Sequence, residues 1–285
     1  MRKGLLMAAV ITAFLLFSCK KEKSFDPDAT NGGGGATTGL LARTTTKFGT
    51  DSIGTFYEYD NQKRLIIYRT GGSFLGSSVE AEIKLLRNSQ GIIQKSILKT
   101  DFFASLGIDS IVRNVYYDAA RSRYFSMAAA YSDGSDNVKD STVFTYNTAG
   151  KINQVEFFYD DGTGGGDVKD GKADYTYDGN GNVTKEKNYA FNTGLNSYEA
   201  YDESVYEFDN KINPTFLGNE GFVLGDIVTY SPNNQMKKTY NDLTDPSQNN
   251  VANSVYTYTS NNKPVSVTQT EQGFQFPFVT TYYYN

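Results

Sequence analysis

The chain has no histidine and a single cysteine in 285 residues, and those two counts decide most of the chemistry open to it. Ser-His-Asp and Cys-His catalysis are excluded, as is zinc held by imidazole or thiolate ligands. Carboxylate, tyrosine and lysine chemistry remains. A glycosidase-type carboxylate pair has candidates in Asp160, Asp161, Asp167, Glu199, Asp202 and Glu203. All of them fall in segments that read as loops, where a soluble acidic protein keeps its charges. The expected reading is therefore a non-enzymatic protein with no catalytic residue and no cofactor.

Two segments carry oxygen ligands at close spacing, as calcium loops do: Asp133-Gly-Ser-Asp136-Asn137 and Asp178-Gly-Asn180-Gly-Asn182. Neither has the bidentate Glu that completes an EF-hand loop, and a turn accounts for the second without an ion. No metal site is expected. GTGGGD at 162–167 lacks the Lys-Ser/Thr of a phosphate loop and reads as a hairpin connection. Tyrosine is more informative. Tyr131, Tyr189, Tyr198, Tyr201 and Tyr240 lie outside the repeating register described below, so the interior does not claim them. Mixed with Asn and Asp on a β-surface, they would suit stacking on sugar rings and hydrogen bonding to hydroxyls. They are the candidate ligand-binding residues, and the competing reading is that they cover neighbouring loops.

The N-terminus carries an address. Arg2 and Lys3 precede an uncharged stretch to Ser18, whose apolar core is shorter than the ~20 residues that cross a bilayer as a helix. This reads as a cleavable export signal, residues 1–18. The tetrapeptide Leu16-Phe17-Ser18-Cys19 resembles the bacterial lipobox, which implies cleavage between Ser18 and Cys19 and acylation of Cys19. The lipid would then be the membrane partner. Residues 20–46 (KKEKS, FDPDATN, GGGGATT) change composition and read as a tether; 27 flexible residues reach roughly 30 Å. Charges directly after the acylated cysteine resemble the export signals of surface lipoproteins in the Bacteroidota. Loss of Arg2 and Lys3 takes the formal charge of −5 to −7, a balance that disfavours nucleic acid.

From residue 47 to 285 no composition shift marks a second boundary, so one domain is expected. It is written as a repeat. Tyr59, Leu86, Tyr117, Tyr146, Tyr177, Phe208, Tyr230 and Tyr258 each lead into a turn rich in acid, amide or hydroxyl groups, at spacings of 27, 31, 29, 31, 31, 22 and 28 residues. Tyr284 follows as a cut-off ninth. After each anchor, Asp or Asn can bond its own backbone two residues on. Four positions past the anchor, Gly150, Gly181, Asn234 and Asn262 suit a left-handed residue. An apolar strand then resumes at Leu65, Ile92, Ile152, Val183 and Met236. The Phe208 unit departs from this, with Lys211 and Pro214 where strand residues are wanted, and predicts a bulge or an edge. Asp101 to Val112 is the best helical candidate and is short.

The segments YTYDGNGNV at 175–183, YEYDNQKRL at 57–65 and FTYNTAGKI at 144–152 resemble the tyrosine-aspartate repeats of Rhs-type and teneurin-like shells, and Tyr-rich repeat lipoproteins of Bacteroidota. The resemblance implies an all-β antiparallel meander of about sixteen short strands, either a curved open sheet or a closed barrel-like strip. An open sheet would leave edges that invite pairing between copies. A membrane barrel is the alternative, although return strands such as KINQVEFFYDD soon meet charges. Together these features point to an outer-membrane lipoprotein, facing the periplasm or the cell surface, that binds a glycan or an envelope protein. A purely structural subunit and a carboxylate-dependent carbohydrate-active enzyme are the rivals.

Overall fold

The computed structural model describes residues 39–132, 137–160 and 166–285. Ser18, Cys19, most of the expected tether, Asp133, Asp136, Asp161 and most of 162–167 lie outside the described residues. The first strands are β1 Leu41–Phe48, β2 Asp51–Tyr59, β3 Leu65–Phe74, β4 Ser77–Arg87, β5 Ile93–Thr100, β6 Ile111–Asp118, β7 Arg123–Ser132 and β8 Asn137–Tyr146. They continue as β9 Ile152–Asp160, β10 Val168–Tyr177, β11 Val183–Asn192, β12 Ser197–Ile212, β13 Asn233–Asp242, β14 Asn250–Tyr258, β15 Pro264–Glu271 and β16 Phe278–Tyr284. Each pairs antiparallel with the next, and β16 pairs with β1, so the sheet is a closed barrel. Closure removes the edges through which an open meander would pair with a second copy. Residues 41–46, which composition assigns to the tether, are β1: Thr44, Thr45 and Thr46 pair with Tyr282, Thr281 and Thr280 on one side and with Thr55, Gly54 and Ile53 on the other.

The turns at one rim explain the repeat. Asp60 Oδ1 accepts from the backbone N–H groups of Gln62 and Arg64, Asn147 from Ala149 and Lys151, and Asp178 from Asn180 and Asn182. The chain then reverses through a left-handed residue: Lys63, Gly150, Gly181 or Asn262. One side-chain oxygen accepts from two turn amides at once, which favours Asp or Asn there; in the Asn262 turn Thr259 Oγ1 accepts from Lys263 N instead. The residue that follows each such turn is among the most buried of the chain, namely Leu65, Ile93, Ile152, Val183 and Pro264.

The anchor rings have a second task. Tyr177 Oη donates to Ile152 O at 2.5 Å, Tyr284 Oη to Pro264 O at 2.9 Å and Tyr146 Oη to Tyr124 O at 2.6 Å. In each case the hydroxyl ties one hairpin to the start of the neighbouring return strand, at its first residue or, for Tyr124, its second. Replacing Tyr177 with Phe should leave that carbonyl short of a donor and cost about 1–2 kcal/mol in urea unfolding; a change within error would show that the ring alone holds the joint.

Two units are built differently from the sequence pattern. Leu86 is exposed, and its neighbour Arg87 occupies the anchor slot. Arg87 donates from Nε and Nη2 to Leu65 O, the carbonyl a tyrosine would reach, while the Asx turn begins at Asn88 and the strand resumes at Ile93 rather than Ile92. Tyr230 is not a strand residue. Between β12 and β13 the short turn is replaced by residues 213–232, which hold helix α2, Gly221–Leu224, between two 3-10 turns. Asn234 accordingly sits in β13 and is not left-handed. The expected irregularity of the Phe208 unit is present as register shifts between Glu207 and Phe208 and between Phe208 and Ile212.

This replaced turn is a plug. Phe222, Val223 and Leu224 are buried in one core cluster with Leu65, Val115, Phe144, Val155, Tyr175 and Tyr206, residues of β3, β6, β8, β9, β10 and β12. Only a segment folded into the barrel mouth can touch so many strands. Phe222 stacks on Tyr230 at 3.8 Å between centroids and meets Tyr175 edge-on at 5.1 Å. Two polar ties fix the segment: Arg87 with Glu220, and Tyr68 Oη donating to Asp226. A smaller cluster of Leu98, Phe103, Ile108, Ile111 and Ala129 lies where helix α1, Asp101–Ser105, joins β5 to β6.

Candidate functional site: the barrel interior

Contacts with the plug identify which face of each strand looks inward, and strand alternation carries that assignment along the barrel. From Tyr175 on β10, register leads to Glu186 on β11, then to Ser204 on β12 and Tyr240 on β13. One step along, Asn188 faces Asp202. This sector of the wall is polar. Glu186 accepts from Tyr206 Oη at 2.9 Å and from Tyr175 Oη at 3.3 Å, and Asp202 accepts from Asn188 Nδ2 at 2.8 Å. Burial pushes the Glu186 and Asp202 carboxyls up from their ordinary values, and the nearby Lys238 ammonium pulls both partly back. Asp170 is raised by burial alone.

Strand irregularity adds one more ring. In the β11–β12 pairing Asn188 faces Asp202 but Tyr189 faces Ala200, so Tyr201 is an extra, unpaired residue. Such a bulge re-aims a side chain. Tyr201 lies close to Asp202, Glu186, Tyr240 and Asp170, and its hydroxyl is raised by burial first and then by Asp202 and Glu186. Tyr240 likewise reaches Asp202. The interior thus brings together tyrosine faces, carboxylates, an amide and one ammonium, the groups that pack against and hydrogen-bond a polyhydroxylated ligand.

The five tyrosines singled out from the sequence divide into three places. Tyr201 and Tyr240 share the interior sector. Tyr131, also inward, packs against the α1 cluster in a different sector. Tyr189 and Tyr198 are on the outer wall, half-buried under lysines: Lys172 lies 4.4 Å from the Tyr189 ring, and Lys169 lies over Tyr198 and Phe191. Tyr198 Oη is spent on Glu156. The interior residues Glu186, Asn188 and Lys238 were missed because nothing in a strand's sequence says which of its two faces closes on the lumen; the Tyr175 register alone supplies it.

Among the described residues the carboxylates considered for catalysis have separate partners or settings. Asp202 faces inward, whereas Glu203 faces outward and pairs with Lys185 at 2.6 Å. Glu199 accepts from Asn192, Asp160 pairs with Lys139, and Asp167 is exposed. The Asp178 carboxylate is committed to its own turn, where Oδ2 takes the Asn182 side-chain amide. Among the described residues no group of three or more acidic or thiol side chains could hold a metal ion.

The outer wall bears on the alternative of a membrane barrel. It carries ion pairs in mid-strand, with Arg69 to Glu82 at 2.8 Å and Lys237 to Glu207 at 2.8 Å beside Lys185 to Glu203. A lipid-facing wall would instead be a continuous apolar band, since a charge there costs ~2–4 kcal/mol at mid-depth.

The fold and interior define a class: a closed, up-and-down antiparallel barrel of sixteen strands with a plugged mouth. Among solved structures the chain is similar to a porin-like protein from Bacteroides uniformis ATCC 8492, with TM-score 0.53 and 11% identity, covering 88% of this chain and 99% of that one. It is also similar to a porin-like protein from Bacteroides vulgatus ATCC 8482, with TM-score 0.54, 11% identity and the same coverage. No protein-family model matches the chain, and no curated protein matches it by sequence. At this identity the likeness shows the fold.

Proposed function

We propose that the chain is an envelope lipoprotein, held to the outer membrane through Cys19, whose barrel stands in water and binds a glycan non-enzymatically in its interior. The observation that carries this reading is the inward sector of Tyr175, Tyr201, Tyr206 and Tyr240 set among Glu186, Asn188 and Asp202. The lipobox-like tetrapeptide, the charged outer wall and the likeness to porin-like Bacteroides barrels support the envelope setting.

The unlipidated chain from residue 20 should retain a glycan on an array. Tyr201→Ala and Tyr240→Ala should each weaken retention about tenfold or more, because a base- or sugar-sized ring contact is worth on the order of 1–2 kcal/mol. Tyr198→Ala on the outer wall should leave it unchanged. Recovery of one envelope protein with no glycan retained would instead favour a scaffolding subunit, and release of reducing sugar dependent on Asp202 or Glu186 would make the protein an enzyme. Labelled palmitate should enter the wild-type chain and not Cys19→Ala.

A further inference from the structure

The two rims of the barrel differ in a way the interior does not explain. The Asx-turn rim ends in polar tips: Asn61-Gln62-Lys63, Ser89-Gln90, Thr148-Ala149, Gly179-Asn180 and Ser260-Asn261. Exposed large apolar side chains at that rim belong to the crossing segment, at Phe216 and Val228, or to strand ends such as Ile212. At the opposite rim almost every fully described loop presents one at its tip. Leu75 stands between β3 and β4, Leu106 between β5 and β6, Leu195 between β11 and β12, Leu243 between β13 and β14, and Phe274 and Phe276 between β15 and β16. Leu195 is 69% exposed and Leu75 57%. Of the fully described loops the Gly49–Thr50 turn carries none, and the sequences that join β7 to β8 and β9 to β10, DGSD at 133–136 and DGTGGGD at 161–167, hold no large apolar residue.

Leu75 adds a second, independent observation. It occupies the first position of a two-residue hairpin turn, at φ 49°, followed by Gly76 at φ 77°. A turn of this kind takes Asn or Asp before its Gly, since a branched apolar residue is strained there. Leucine does not ease the backbone, and its side chain is 57% exposed, so burial does not account for its place.

We propose that this rim docks on a lipid surface. The leucine tips are single side chains on separate loops, while Phe274 and Phe276 pack on Phe48 as one aromatic group, so a rigid partner would have to match each site in turn. The turns of Leu75 and Leu195 lie eight strands apart, half-way round the barrel. With strands about 4.8 Å apart they stand roughly 25–30 Å from one another. A surface that meets both must be flat, wide and apolar just below its face, which a bilayer is. The inference rests in one respect on the lipoprotein reading. β1 begins at the Asx-turn rim, so the tether leaves from the far end, but 21 residues between Cys19 and Leu41 can span at most about 70 Å, about twice the length of a ten-residue strand. The anchor and the apolar rim can engage one membrane.

The test uses the chain from residue 20, which contains every strand pairing and lacks the acylated cysteine, so its outcome is independent of lipidation. It should co-sediment with vesicles of phosphatidylethanolamine and phosphatidylglycerol. Leu75→Ser and Leu195→Ser should each lower the partition coefficient about tenfold, while Val255→Ser, 67% exposed on the strand wall, should not change it. Circular dichroism checks that each variant keeps its sheet. Absence of co-sedimentation at millimolar lipid overturns the proposal. So does an equal loss with Val255→Ser, and so does a dimer in sedimentation velocity that Leu195→Ser converts to monomer, which would make the rim a contact between copies.

Discussion

Arg87→Ala should lower the free energy of unfolding by about 2–4 kcal/mol, because it removes a buried guanidinium from several hydrogen bonds while the partly exposed Glu220 carboxylate can still be hydrated. The Arg87 side chain is 5% exposed and its guanidinium makes bonds in three directions: to Leu65 O, to Gly91 O at 2.8 Å and, bidentate, to both oxygens of Glu220 at 2.8 Å. Glu220 also accepts from Tyr124 Oη. Loss of the guanidinium would unpair that carboxylate and leave two carbonyls underbonded. Because tyrosine fills the same slot in other repeats, Arg87→Tyr combined with Glu220→Gln should recover most of the loss, a comparison that urea denaturation followed by circular dichroism can make. If the double variant is as unstable as alanine, the slot is not equivalent to the tyrosine anchors.

Phe222→Ala is expected to cost a similar amount, about 3–5 kcal/mol, by a different route. Its ring is 4% exposed, stacked on Tyr230 and edge-on to Tyr175 and Phe144. The cavity left would sit where the plug meets the barrel wall. Hydrogen exchange should therefore quicken first across residues 213–232, with the strands of the Asx-turn rim protected longer. Uniform acceleration across all sixteen strands would mean that the plug and the barrel open together. The plug's buried Asp226 works against it: burial raises the carboxyl above its ordinary value, so the folded state holds that proton to higher pH than the unfolded chain does, and this site loses stability as pH rises through the carboxylate range.

What the residues disclosed was the local geometry. The Asx turns at Asp60, Asn147 and Asp178 were readable because one side-chain oxygen serving two amides is a property of a single short segment. Closure was not readable, because it depends on β1, and TTTK at 44–47 carries little apolar character with which to announce a strand flanked by two others. The substitution of Arg87 for an anchor ring hid behind Leu86, an apolar residue one position out of register whose side chain faces away from the core. Tyr230 misled for the opposite reason: its ring is buried as an anchor's would be, but by stacking on Phe222 in a non-strand segment. Of the candidate tyrosines, Tyr189 and Tyr198 could not be told from Tyr201 and Tyr240, since strand alternation does not say which face is inner and a single bulge residue decides which side of the wall the first part of β12 shows.

The seam between the first and last strands has a consequence for how the protein is made. Gly39 and Asn285 share a backbone hydrogen bond beside it, so β1 and β16 gain their second partner only when these two distant stretches of sequence meet. Until they meet, a partly built sheet presents two unsatisfied borders, and pairing across so long a sequence separation is the slow kind of step. A chain cut upstream of β16 would keep both borders bare and open to pairing with other chains.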